Sequence, residues 1–216
     1  MAMLDESPVL SGVTDASVVL EGVSWKTYER LLQGIGDDHV SVTYDNGLME
    51  IEMSPSRKHE LDADFLRSLV TLVSVLKDIP VEAGGETTHK REDLAKGLEP
   101  DGCYWIANEK TMRGVADLDL SEHPAPDLVI VVDVTSRSVN KIAIYAELGV
   151  PEIWHVDRDE LVFLVLDKSG GTYTTVETSL SFPFVSRSLV SAALKSSGTH
   201  GQSSALKRLV SDLKLK

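Results

Sequence analysis

Three short segments of the chain carry polar groups where an ordinary core would have none: Glu99-Pro100-Asp101, the β-branched run PDLVIVVDVTS with Asp133 inside it, and Asn140-Lys141 just beyond. Together they suggest a hydrolytic metal site. Phosphodiester cleavage needs acidic groups converging on Mg²⁺ and a lysine to steady the attacking water or the charge on the phosphorane. A core strand that delivers acids, followed at once by a helix bearing lysine, can supply this. Pairing Asp127 with Asp133 as a self-contained motif fails on geometry, because six residues of extended strand separate them by about 20 Å. Asp127 therefore reads as a strand-start residue.

Local patterns suggest the elements that must hold these groups. Ser24 precedes WKTYERLLQGI, a short helix with Trp25, Tyr28, Leu31 and Leu32 at helical spacing. HVSVTYD and LMEIEM alternate in polarity and flank Asn46-Gly47, a tight-hairpin signal since both residues tolerate positive φ. RKHELDADFLRSLVTLVSVLKD reads as the longest helix, with Leu61, Phe65, Leu66, Leu69, Leu72 and Val75 or Leu76 on one broad face. Strands are expected in IPVEAG and GETTHKR, with a bend or bulge at Gly84-Gly85, and in CYWIAN. PAPDLVIVVDVTS is the pattern of a strand covered on both faces. SVNKIAIYAELGV then reads as a helix ending at Gly149, PEIWHVD and ELVFLVLD as two strands joined by a tight turn, and 186–195 and 203–213 as helices separated by the loop SSGTHGQSS.

Bulk composition limits the alternatives. With 216 residues, 42% hydrophobic and 25% charged, the chain suits one globular domain and neither a disordered nor a disulfide-built protein. The single cysteine, Cys103, permits no intrachain disulfide and fits a reducing compartment. MAMLDESPVL lacks the basic-then-apolar pattern of an export signal, and no uninterrupted apolar run approaches a membrane span. A cytoplasmic location is the expectation. The net charge of −13 is awkward for a partner of polyanions, yet residues 187–216 carry six Lys or Arg against one acid. Global charge thus leaves room for a local basic rim.

The succession TYDNGLMEIEMSPSRKHE, GGETTHKREDLAKGLEPDGCYWI, PDLVIVVDVTS and NKIAIYAELGVPEIWHVD closely resembles the Uma-type family of "putative restriction endonucleases", within the PD-(D/E)XK superfamily. The likeness runs from about Val18 to Lys168, with a looser echo at FPFVSRS. It implies an α/β restriction-endonuclease-like fold: a mixed sheet with flanking helices and an N-terminal β-hairpin. The expected organisation is an N-terminal extension (1–17), the nuclease-like domain (18–185) and a C-terminal helical tail (186–216). Carried over residue by residue, the resemblance makes Pro100-Asp101 the metal-binding Pro-Asp and Lys141 the lysine four residues before a tyrosine, here Tyr145. It places the second metal-binding glutamate where this chain has Val131. Asp133, two residues on and about 6–7 Å away on the same strand face, matches an acid that in some relatives accompanies the glutamate, and could reach a shifted metal but not the same position without a bulge or a displaced ion. Glu60, beside His59 on the long helix, matches an assisting helix acid.

The implied activity is Mg²⁺- or Mn²⁺-dependent DNA endonuclease chemistry, with Asp101 and Asp133 as metal ligands and Lys141 and Glu60 as further site residues. A second reading is a catalytically silent relative that binds nucleic acid or protein, Val131 recording the loss; a homodimeric interaction protein is a third. Each residue also has a structural reading. Asp101 fits a turn after proline, Lys141 a solvated helix start, and Asp133 a cap for a helix beginning near Ser138 or a bond within the TSRS loop. Glu60 and His59 suit an ordinary helix face. Glu52, near the Ser54-Pro55-Ser56 turn, could face the cleft or not. Trp154, His155 and Tyr145 read as core or hairpin residues, and Cys103 as a small buried hydrophobe rather than a nucleophile.

Overall fold

In a computed structural model, the structure describes residues 9–13, 17–35, 40–53, 56–133, 139–167 and 169–214. The 135–138 loop and the Ser54-Pro55 turn lie outside them. In chain order the elements are β1 (Val9–Val13), β2 (Ser17–Glu21), α1 (Trp25–Ile35), β3 (Val40–Asp45), β4 (Leu48–Met53), α2 (Arg57–Lys77), β5 (Glu82–Gly85), β6 (His89–Arg91), β7 (Lys96–Leu98) and β8 (Gly102–Trp105). They continue with α3 (Glu109–Met112), β9 (Leu128–Asp133), α4 (Lys141–Glu147), β10 (Glu152–Asp157), β11 (Glu160–Asp167), β12 (Thr172–Val176), α5 (Arg187–His200) and α6 (Gln202–Asp212). Two six-stranded sheets result, ordered β1-β2-β4-β3-β7-β6 and β12-β11-β10-β9-β8-β5. The second is the expected mixed sheet: β9 runs parallel to β10 through the α4 crossover and antiparallel to β8.

The β3–β4 hairpin forms as its turn residues predict, with Asn46 at φ 47° and Gly47 at φ 91°. The β9 strand is the central one, buried at all six positions. Leu128, Ile130 and Val132 face α2, α5 and α6, while Val129 and Val131 face a second cluster with Ile144, Tyr145 and Leu148 of α4 and its C-terminal end. Each fully buried aliphatic side chain contributes about 1.5–3 kcal/mol of transfer free energy, so both clusters weigh in fixing the strand. The helices α5 and α6 complete the first cluster through Val190, Ala193, Leu194, Ala205 and Leu209.

Several expectations need correction. The buried face of α2 is His59, Ala63, Phe65, Leu66, Leu69, Val70, Val73 and Ser74, whereas Leu61 and Val75 are 45% and 74% exposed. Apolar residues wrap more than half of this helix, so periodicity sets its existence while packing on β9 sets its rotation. By contrast, the strands expected on either side of Gly84-Gly85 form as β5 and β6, with the expected bulge at Ala83–Gly85, and they belong to different sheets. The spacer expected as a loop is mostly helix: α5 continues to His200 and only Gly201, at φ 83°, breaks it. Ser197 and Thr199 hydroxyls donate back to the carbonyls of Leu194 and Ser196 within this last stretch of the helix. The helix after β9 is capped by Asn140, whose side chain accepts from the Ala143 N–H, so the cap does not need Asp133. No helix among the described residues is long and apolar enough to cross a membrane.

Candidate active site

The C-terminal end of β9 gathers the polar groups that the sequence singles out. The β8–β9 register ends with Gly102 opposite Ile130, which brings Asp101 beside the C-terminal half of β9. The Asp101 N–H donates to the Ile130 carbonyl at 3.0 Å, and its Oδ2 accepts the Val132 N–H at 2.6 Å. Its Oδ1 lies 3.0 Å from His59 Nε2, and Arg67 donates to its backbone carbonyl at 3.0 Å. Both side-chain oxygens and the backbone are therefore held, while the side chain keeps 22% exposure.

His59 occupies the first turn of α2, where the Ser56 hydroxyl accepts its N–H. Burial opposes its protonation, but the hydrogen bond and charge of Asp101, with the charge of Glu60, outweigh it and raise the imidazole above its usual value. Its Nδ1 is buried without a hydrogen-bond partner and lies 3.4 Å from Glu60 Oε1. Glu60 itself is 48% exposed, on the rim, with Arg67 3.8 Å away.

Asp133 is buried, and its Oδ2 lies 2.9 Å from His155 Nε2. The parallel register brings His155 opposite Val131 and Asp157 opposite Asp133, so the β10 imidazole reaches across to the β9 carboxylate. Tyr145 packs against Val129 and Val131 of β9, and its fully buried hydroxyl has no hydrogen-bond partner among the described residues. Burial first, then the negative charges of Asp101 and Asp133, push its ionisation far up.

Lys141 opens α4 and is buried, its Nζ 2.9 Å from Glu52 Oε2 on β4. Glu52 does face inward. Two residues before it on the same strand face, Glu50 is 1% exposed and accepts the Val139 N–H at 3.2 Å and the Ser17 hydroxyl at 3.1 Å. Burial raises the carboxyl of Glu99 above its ordinary value, against a hydrogen bond from Thr88 and the charge of Lys141.

The remaining candidates are structural. Asp127 accepts the N–H groups of Ile106 and Ala107 at 2.7 and 2.9 Å, securing the turn after β8. Trp154 stacks on Phe163 and donates to buried Glu152. Cys103 is fully buried, and desolvation pushes its thiol up to about 12, far from a thiolate nucleophile. Sequence reasoning missed Glu50 and underweighted His155. The alternation of LMEIEM held a signal for the first, since it places Glu50 and Glu52 on one face.

Among the described residues, no three His, Cys, Asp or Glu side chains gather into a ready metal-ligand group. A Mg²⁺ site asks for less, because this ion commonly takes one or two carboxylates and fills its other positions with water and phosphate oxygens. Asp101 and Asp133 offer that donor chemistry, and the unpartnered Tyr145 hydroxyl is a polar group that a ligand water would satisfy.

A family model described as "Uma2: Putative restriction endonuclease" matches residues 25–195. No curated protein matches the chain. Among solved structures, it is similar to a "putative nuclease belonging to DUF820 from Anabaena variabilis ATCC 29413", at 18% identity and TM-score 0.43, over 57% of this chain and 70% of that one. Since the family match spans most of the chain and includes Asp101, Asp133 and Lys141, the protein belongs to the Uma2 family of "putative restriction endonucleases".

Proposed function

We propose that this protein is a metal-dependent endonuclease that hydrolyses phosphodiester bonds of DNA, with Asp101 and Asp133 as the carboxylates that hold Mg²⁺ or Mn²⁺. The observation that carries the reading is the gathering of Asp101, whose Oδ2 accepts the Val132 N–H, with Asp133 at the C-terminal end of β9, and of Lys141 at the start of the next helix. The bound ion would supply Lewis-acid polarisation of a phosphoryl oxygen and a more acidic water.

The residues of the chain prepare for this chemistry. His59 and the Val132 N–H orient the Asp101 carboxylate, and His155 orients that of Asp133. Lys141 holds a proton at Nζ, and its ammonium would offset charge building on the phosphoryl oxygens. Glu60, on the rim, is placed to assist at the solvent side. The second reading, a nuclease fold that binds without cutting, is favoured by one residue: Val131 is 2% exposed in an apolar cluster where the resemblance places a glutamate.

Calorimetric titration with Mg²⁺ and Mn²⁺, alongside nicking of supercoiled plasmid, tests the proposal. Wild type should bind in the millimolar range and nick the plasmid, and Asp101→Ala and Asp133→Ala should each lose both properties. A folded wild-type protein that binds neither ion at that concentration sinks the metal-dependent reading.

A further inference from the structure

We infer that Glu52 is the positioning residue of Lys141, and that Glu50 beside it anchors the segment from which α4 starts, so that the N-terminal sheet forms a second wall of the site. This rests on the nuclease reading for the role of Lys141 and goes beyond it by assigning the group that fixes that lysine.

The strand alternation of β4 sets Glu50 and Glu52 about 6–7 Å apart on one face. That face turns inward: Glu50 is 1% exposed and the Glu52 side chain 15%. Two acids on the inner face of a hairpin are costly to bury unless they are partnered, and a hairpin needs neither for its own pairing. Their directly opposed residues, Ser17 and Ser41 at Glu52 and Val19 and Thr43 at Glu50, carry no positive charge. Among the described residues, compensation from outside the sheet includes two adjacent points, the Val139 N–H at Glu50 and the Lys141 ammonium at Glu52. Both belong to the stretch that leaves β9 and enters α4.

The charges on α4 point the same way. A lysine in the first helical turn and a glutamate in the last both oppose the helix dipole, so neither stands there for helix stability. Each instead meets the N-terminal sheet. Lys141 reaches Glu52 at one end, and Glu147 reaches buried Lys96 of β7 at the other, 3.2 Å away, where Lys96 also pairs with Asp45. Two ion pairs of opposite sense thereby tie both ends of the helix to the N-terminal sheet. A lysine has four rotatable side-chain bonds, and a buried carboxylate contact restricts where its Nζ can go. Glu52 acts through Lys141 and is not itself placed against the reacting phosphate.

The experiment uses the full chain and reads position and activity separately. Amine labelling with sulfo-N-hydroxysuccinimidyl acetate, followed by peptide mass spectrometry, measures the accessibility of Lys141 without requiring catalysis. Lys141 should label slowly in wild type and about tenfold faster in Glu52→Gln, the expected result of releasing a charge-assisted contact. Glu52→Asp, which keeps the charge, should recover part of the protection, and it carries the test if Glu52→Gln does not fold by thermal melting. In plasmid cleavage with Mn²⁺, Glu52→Gln should lower kcat by about tenfold or more with KM for DNA little changed. Unchanged Lys141 labelling in a folded variant overturns the inference, and so does faster labelling with wild-type kcat. If the wild type cleaves nothing, the nuclease reading falls, while faster labelling still supports the assignment of Glu52 to Lys141.

Discussion

Replacing Val131 by glutamate asks whether the strand end is a metal site lacking one carboxylate. Val131 is 2% exposed, packs with Val129 and Tyr145, and lies between Ile130 and Val132, whose backbone groups Asp101 binds. Losing a buried valine costs roughly 1.5–2 kcal/mol of apolar burial. A carboxyl placed there beside Asp101 should resist ionisation, and a rise of about two pKa units adds about 2.7 kcal/mol at neutral pH. The metal-free variant should therefore be less stable by about 4–5 kcal/mol, within the 5–15 kcal/mol typical of a domain and thus compatible with folding. A divalent ion bound between the two carboxylates reverses part of that loss: at about one hundred times Kd, ligand binding returns roughly 2.7 kcal/mol. For a chain of this size that corresponds to a rise in Tm of about 5–10 °C. Circular-dichroism melts with chelator and with Mn²⁺ measure it, and plasmid cleavage by the same samples should increase over wild type. A folded Val131→Glu protein whose Tm is no more sensitive to Mn²⁺ than wild type would refute the placement of position 131 beside the ion.

Two further predictions concern the scaffold. Glu152 is fully buried and accepts from Trp154 Nε1 and from the N–H groups of Leu180 and Ser181 at 3.0, 3.0 and 2.7 Å, so Glu152→Ala should lower stability by roughly 3–5 kcal/mol in denaturant melts; a loss below 1 kcal/mol would show that the 177–185 segment is held by its apolar contacts alone. Among the described residues, His89 is buried without a hydrogen-bond partner at either ring nitrogen, and desolvation lowers its pKa from 6.5 to about 4. The unfolded chain then binds the proton first, so stability from His89 is full above about pH 6.5 and declines as pH falls toward 4, by about 3 kcal/mol in all. His89→Phe should flatten that part of the stability-pH curve, and an equally steep curve in the variant would assign the acid sensitivity elsewhere.

Much of the local structure was legible because its causes are local. Asn46-Gly47 sets its hairpin through φ, the β-branched run from Leu128 to Val132 reads as a doubly covered strand, and the dispersed motifs around Asp101 and Lys141 identify the family. Alternation along LMEIEM even held the pairing of Glu50 and Glu52 on one face. What the sequence could not determine is who meets whom. Glu52 and Lys141 are separated by 89 residues, and Asp101 and Val132 by 31, so their contacts depend on strand order and register rather than on any local period. The same holds for His59 on Asp101 and His155 on Asp133, where an imidazole on one element reaches a carboxylate on another. Periodicity tells a side chain which face it shares with its neighbours in sequence. Only the packing of two sheets around α4 decides which distant charge lies across from it, because that choice is made by burial of the whole apolar surface and not by the charged residues themselves.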